Sequence, residues 1–531
     1  MQYLNKHIFS LLLIVTVLFF KISVIAQKKW TIDDILKTEQ LVFSEISPNG
    51  NYVFYQTGVT AKGYPAMPSK FFTISLKNGK TTELLLPHSI SSVNPRAGLY
   101  QWSPDSKIIT FLSKSISKND VVQIWGVAPE GGHPRQLTFN KTDITSYVWS
   151  PDAICLMYVC KELPSEEEIT YKSEWGVVIS PEEKKWQQKK SVWIQDIKKE
   201  KAVLLIDKLI LSNTPQWSPD GNKTAFIYYE TDNTSPILYI TDIKSGKNSK
   251  IKIDLSTSIP FFSWSPDGES IAYITADIDN PDYVNYHDGS SFHPGSIWIY
   301  NLKQDKSKRM TTEAFPQLTR FCWSRDGKQL VFIAQSPETV NLNIYNRYIP
   351  LKMYILSTFD GKIKPIDDEI DLFRGGESIT WSHDNAEIWF TNGEGVGYNI
   401  FAVNVETGKL RHITSGQDCI SQLTFDNSFA NVAFIQQNVN TKPDIYRSKP
   451  NEWHPKRITN LNPWVDELDN EHGEVITYKS EGWDIEALLI KPPGFDPQKK
   501  YPLLLITHGG PNWHKLNEWL PDWEQYPLKA F

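Results

Sequence analysis

The chain has 531 residues, 40% hydrophobic and 22% charged, a composition that excludes a disordered or collagen-like polymer. Lys and Arg number 55 against 61 Asp and Glu, a net charge of −6, and that mild acidity argues against a phosphate-binding surface and so against a nucleic-acid partner. The 19 Trp, 23 Tyr and 25 Phe point to β structure, because aromatic rings suit half-buried pleated strands.

At the N-terminus, Lys6 precedes an almost wholly apolar run from Ile8 to Phe20, and Val24-Ile25-Ala26 precedes Gln27. That pattern predicts a signal peptide over residues 1–26, cleaved before Gln27, and hence a secreted or periplasmic protein. The apolar run is shorter than the roughly 20 residues a membrane helix needs. The alternative is an uncleaved N-terminal anchor that includes Ile22 to Ala26. Residues 27–39 form an N-terminal segment.

From residue 40 to residue 460 the sequence repeats itself. Trp102-Ser103-Pro104-Asp105 returns as Trp149-Ser150-Pro151-Asp152, Trp217-Ser218-Pro219-Asp220-Gly221 and Trp264-Ser265-Pro266-Asp267-Gly268. Looser copies begin at Trp323 and Trp381, an earlier one is Ile46-Ser47-Pro48-Asn49-Gly50, and a degenerate one surrounds Asp426-Asn427. Proline presets a turn, and Asp, Asn or Gly completes it by local bonding or positive φ. Six residues after the turn acid stands an aromatic: Tyr55, Phe111, Tyr158, Phe226, Tyr273, Phe332 or Phe390. An apolar residue or Thr224 lies two before it, so each turn feeds a strand. Units of this size match a four-stranded propeller blade. The expected fold is an all-β propeller of about eight blades, with seven as the alternative because the last copy is weak. The repeated Trp and Asp are then structural.

The four cysteines are too few for a disulfide scaffold. Cys155 and Cys160 are five apart on one strand and so face opposite ways. All four read as buried small side chains. Between Asp152 and Asp220 an insertion carries Glu166-Glu167-Glu168 and the run Lys184 to Lys190, which reads as solvated loop or as a loop that meets a peptide's charged terminus. Gly393 to Gly397 is glycine-rich but has no helix to receive a phosphate, and His287, Asp288 and His293 lack metal-ligand spacing. No cofactor and no metal are expected. Asn140, Asn222 and Asn233 stand in Asn-x-Ser/Thr sequons.

Beyond residue 460 the repeat stops. Val475 to Tyr478 and Ile485 to Ile490 read as strands, and Leu503 to Ile506 reads as a short apolar strand running into His508-Gly509-Gly510-Pro511. Paired glycines after a buried strand let the backbone present N–H groups, as acyl transfer requires at its oxyanion. An α/β-hydrolase places such a motif after its third strand.

A propeller followed by YKSEGWDIEALLIKPPGFDPQKKYPLLLITHGGP resembles the prolyl oligopeptidase family of serine peptidases, with the acylaminoacyl-peptidase and dipeptidyl-peptidase branches the nearer likeness. Glu481-Gly482 stands where the family commonly has Asp-Gly. The resemblance implies that residues 461–531 begin an α/β-hydrolase peptidase domain. It implies that Gly510 supplies an oxyanion N–H and that His508 and Gly509 shape the turn. It also implies a Ser-His-Asp triad, short peptides as substrates, and a propeller that screens access. No Gly-x-Ser-x-Gly elbow occurs in residues 1–531, so the triad is expected beyond Phe531 and this stretch alone is expected to be inactive. A binding or scaffold propeller and an esterase on the same fold are the alternatives. Endo- or exopeptidase action and oligomeric state are left open.

Overall fold

The computed structural model describes residues 28–59, 69–86, 100–114, 121–163, 189–211, 213–229, 236–253, 257–277, 284–285, 291–292, 294–318, 320–337, 351–366, 372, 378–507 and 516–519. Residues 1–26, read above as a signal peptide, lie outside them, as do Glu166 to Glu168, Lys184 to Gln188, Asn233, His287, Asp288, His293 and His508 to Pro511.

The repeats fold as a β-propeller. The first sheet runs Glu39–Ile46, Tyr52–Val59, Ser69–Ser75 and Thr81–Leu84, each strand antiparallel to the one before it in sequence. Three further four-stranded sheets repeat that order, and two eight-stranded sheets each join two such units. In one, the long strand Lys201–Leu211 pairs with Lys190–Asp196 and then crosses to pair with Tyr228 and Tyr229. In the other, the single parallel bridge Tyr398↔Cys419 makes the join.

The turn after each inner strand explains the sequence signature. In the copy at Trp381, the Ser382 hydroxyl donates to Asp384 (2.6 Å) and accepts from the Glu387 N–H (2.9 Å). The Asp384 carboxylate in turn accepts from the Ala386 N–H at 3.0 Å. One buried hydroxyl and one carboxylate thus close a tight loop whose fourth residue is left-handed. That residue is Gly221 (φ 70°) or Gly268 (φ 69°) where the sequence allows, but also Ser106, Ala153, Asn385 and Phe429. Neighbouring turns touch: a Cβ on Gly221, Gly268 or Gly327 would sit 3.5–3.6 Å from the proline ring of the preceding copy.

The degenerate last copy is a swap rather than a decay. Asp426, read above as the turn acid, occupies the serine position. Ser428 occupies the acid position and donates back to Asp426 at 2.9 Å. Shifting the frame by two residues restores the pattern, because the residue six after Ser428 is Phe434, which is fully buried like its seven counterparts.

Adjacent sheets bury these aromatics and the apolar residues two before them between their faces. One core joins Phe54 and Phe71 to Trp102 and Phe111, and the next joins Leu112 and Ile124 to Tyr147 and Trp149. The series ends where Val53, Tyr55 and Ile74 of the first sheet meet Ala433, Ile435 and Ile445 of the last. At that seam no described strand of the first sheet pairs with one of the last. Closure rests on packing and on scattered bonds. Ile46 N–H donates to Thr424 Oγ1 (3.1 Å), Asn427 N–H to the Pro48 carbonyl (2.9 Å), and Arg447 to the Leu76 carbonyl (3.2 Å).

The four cysteines are free thiols, as expected. Cys160 and Cys419 are buried, whereas Cys155 and Cys322 are partly exposed, so the uniform burial expected from sequence does not hold. Cys155 and Cys322 still pack against inter-sheet cores as partly buried side chains.

The Ser382 hydrogen bond is the largest cause holding the Asp384 carboxyl below its ordinary range, followed by the Ala386 N–H. A depressed carboxylate stabilises the fold above its unfolded pKa near ~4, and that contribution is lost as pH falls below it. Ser382→Ala should therefore cost about 1–3 kcal/mol at pH 7, since it also strands the Glu387 N–H. The deficit should shrink as pH falls from about 4 through the depressed value of the Asp384 carboxyl, where the native protein also loses the charged interaction. Urea midpoints at pH 7 and pH 3 check this.

Candidate functional site

The sequence places its candidate chemistry at His508, Gly509 and Gly510, which lie outside the described residues. What the structure describes is the frame on either side of them. Strands His472–Ser480 and Trp483–Lys491 form the expected hairpin, in register from His472↔Lys491 to Ser480↔Trp483. Glu481 (φ 48°) and Gly482 (φ 89°) both take positive φ, the two-residue turn that matches strand twist. After Pro492-Pro493-Gly494, Phe495 stacks on Tyr501 at 5.0 Å, and the Asp496 N–H donates to the Tyr501 hydroxyl.

Residues 501–507 carry no regular structure, which corrects the expectation of a strand from Leu503 to Ile506. Leu503 and Leu505 are about four-fifths exposed, at 81% and 79%. A strand needs a ladder partner, and among the described residues none lies beside this stretch.

The frame is tied to the propeller by asparagines that the sequence reading did not single out. Asn440, at the hairpin between Val432–Asn438 and Thr441–Lys449, donates to the Gly473 carbonyl (2.8 Å) and accepts from the Gly473 N–H (2.9 Å). The close approach requires glycine, since a Cβ there would lie 2.1 Å from Val439 Cγ1. Asn462, left-handed at φ 48°, pairs in the same two-pronged way with the backbone of Glu39 (2.9 and 2.6 Å). It therefore joins the strand that enters the propeller to the chain that leaves it. Behind it, burial pushes the Asp444 carboxyl up, against the opposing Thr459 hydroxyl and Leu461 N–H.

The N-terminal segment completes the frame. Thr31 and Asp34 cap the short helix Ile32–Leu36 reciprocally. The ion pair with Lys37 and the Thr31 hydroxyl hold Asp34 well below the usual carboxylate range. Trp30 packs against Trp464 and Trp519 in one small core with Val465 and Leu468, and its indole N–H donates to Asn470. Among the described residues no cluster of ligating side chains could hold a metal ion. None of their helices is long and apolar enough to cross a membrane.

No family model matches the chain. Dipeptidyl-peptidase 5 of Porphyromonas gingivalis is 24% identical over 217 residues, 40% of this chain and 30% of that protein. A probable dipeptidyl-peptidase 5 of Emericella nidulans is 28% identical over 221 residues, 38% of this chain and 28% of that protein. Among solved structures, an acylaminoacyl peptidase in complex with Z-Gly-Gly-Phe-chloromethyl ketone superposes with a TM-score of 0.57 at 17% identity. It covers 94% of this chain and 65% of its own. The chain is similar in part of its sequence to dipeptidyl-peptidases and in its fold to an acylaminoacyl peptidase. Its matches span less than a third of the length of those two peptidase relatives. The low identity to the solved structure carries the fold and nothing finer.

The Asn440–Gly473 contact holds the hairpin closely against the propeller. Gly473→Ala should destabilise the docked hairpin by about 2 kcal/mol or more, the order expected when a buried contact is overpacked. Adding Val439→Ala should recover part of the loss. Thermal midpoints of the two single variants and the double variant measure it.

Proposed function

We propose that residues 1–531 belong to a secreted serine peptidase that cleaves short peptides by acyl transfer. The observation that carries the reading is the order of parts. A propeller is followed by a hairpin and then by Leu503 to Ile506 and His508-Gly509-Gly510-Pro511, in a chain whose curated relatives include dipeptidyl-peptidases. In this reading the propeller has eight blades, one for each serine–acid turn, with Asn49 in the place of the acid in the first, and spans residues 40–460. Residues 461–531 begin the peptidase domain.

The chemistry is nucleophilic. A serine oxygen bonds to the substrate carbonyl carbon while its proton passes through histidine to the leaving amine, and water then releases the acyl group. The serine, aspartate and histidine would stand in sequence beyond Phe531, because residues 1–531 contain no Gly-x-Ser-x-Gly. Gly510 would donate its backbone N–H to the oxyanion, with His508 and Gly509 shaping the turn. No cofactor enters that scheme. The propeller would restrict entry to short peptides.

In the complete protein, Gly510→Val should lower kcat about a hundredfold or more with a smaller change in KM, since the oxyanion charge develops in the transition state. A folded Gly510→Val protein with normal kcat would remove the oxyanion role. A fluorophosphonate probe should label the complete protein and leave residues 1–531 expressed alone unlabelled.

Secretion is part of the same reading. N-terminal sequencing of protein from a secreting host should begin at Gln27. Recovery of residues 1–26 in a membrane fraction would favour the anchor instead.

A further inference from the structure

Asn517 makes more directed contacts across the propeller surface than its place in an irregular segment would require. It lies six residues after Pro511 and is 6% exposed. Its backbone N–H donates to the Val396 carbonyl at 2.8 Å. Its side-chain oxygen accepts from the Val439 N–H at 3.1 Å, and its side-chain amide donates to the Gln417 carbonyl at 2.9 Å. Those three partners come from three separate connections. They are the hairpin between Glu387–Glu394 and Gly397–Asn404, the loop before Cys419–Phe425, and the hairpin before Thr441–Lys449. Two adjacent four-stranded units of the propeller are therefore gripped by one residue.

The surroundings make that grip specific. Val439 is buried, and its N–H finds its partner in the Asn517 side chain rather than in a ladder. Asp418 accepts from Gln436 and Asn438 and so holds the neighbouring strand in place. Gly397 packs so closely that a Cβ would lie 2.6 Å from the Gly416 carbonyl oxygen. Two residues on, the Trp519 N–H donates to Gln437, and its ring joins the Trp30 core. A carboxamide offers an acceptor and a donor on two separate atoms, so it can reach two backbone groups at once. Ala would leave both propeller groups unpaired, and Asp would set a carboxylate against the Gln417 carbonyl.

We propose that Asn517 is a positioning residue, the latch through which two adjacent propeller units hold the stretch of chain that follows His508-Gly509-Gly510-Pro511. The proposal rests on the peptidase reading for the consequence, though not for the latch itself. Six residues reach at most about 20 Å, so a fixed Asn517 limits where Pro511 can lie. Displacements of about 1 Å at a reacting centre can cost about a hundredfold in rate.

Cys419 reports on the latch independently of activity. It is 3% exposed, and its thiol donates to the Val396 carbonyl at 3.7 Å, the same carbonyl that accepts from the Asn517 N–H. Burial pushes this thiol up, so it is inert while covered. The test compares the complete wild-type protein with Asn517→Ala and Asn517→Asp. It measures peptide kcat and KM, and the rate of maleimide labelling at each cysteine by mass spectrometry.

In Asn517→Ala, labelling of Cys419 should rise at least tenfold while Cys160 is unchanged, and kcat should fall at least tenfold with KM within about threefold. Asn517→Asp keeps the acceptor for Val439 and should fall between wild type and Ala in both readouts, which keeps the test open if the alanine variant folds poorly. Unchanged Cys419 labelling in Asn517→Ala overturns the latch. Raised labelling with wild-type kcat overturns the positioning role. A wild-type protein without peptidase activity overturns the function proposed above, and the labelling result then decides alone whether the latch exists.

Discussion

The propeller depends on one small interaction repeated around it, a serine hydroxyl held between a turn carboxylate and a strand N–H. At Ser218 that hydroxyl donates to Asp220 at 2.6 Å and accepts from the Lys223 N–H at 2.9 Å. It fixes where the inner strand stops and where the next begins. Strand side chains alternate between faces, so a turn one residue longer would send the buried aromatics to the opposite face. The register of every inter-sheet core is thus set locally, before any sheet meets its neighbour. Backbone strain is accepted for it. Ala153 and Phe429 adopt left-handed geometry that glycine would adopt more easily, and both sit in these turns.

That locality is why the propeller is legible in sequence. Serine, acid, a left-handed residue and an aromatic six positions on are short-range requirements, and they survive divergence as a written pattern. The last copy shows the limit. Ser428 and Asp426 exchange places and keep the hydrogen bond, because a hydroxyl and a carboxylate can bond in either order along the chain. A reading by residue identity misses that equivalence, whereas Phe434 marks it by position.

The frame around the candidate site was less legible for the opposite reason. The side chains of Asn440, Asn462 and Asn517 reach across separations of 33, 423 and up to 100 residues. Nothing near them in sequence distinguishes an asparagine that grips a distant backbone from one in a solvated turn. Trp30, Trp464 and Trp519 are likewise brought together only by the fold. Leu503 to Leu505 erred the other way. Their apolar run reads as a strand, but a strand exists only beside a partner, and exposed leucines show that the composition was right about burial demand and silent about what meets it.

The pairing of Asn462 with Glu39 has a topological meaning. The chain enters and leaves the propeller at one point, held together by an amide side chain in place of a backbone ladder. Seen from residues 28–38 and 463–491, the whole propeller is a single excursion that departs and returns to the same place. The entropy of closing an excursion grows only with the logarithm of its length, so hundreds of residues cost little more to host than a few dozen. Repeats between the two ends could be gained, lost or exchanged without moving either end, as long as the pairing of Asn462 with Glu39 is kept.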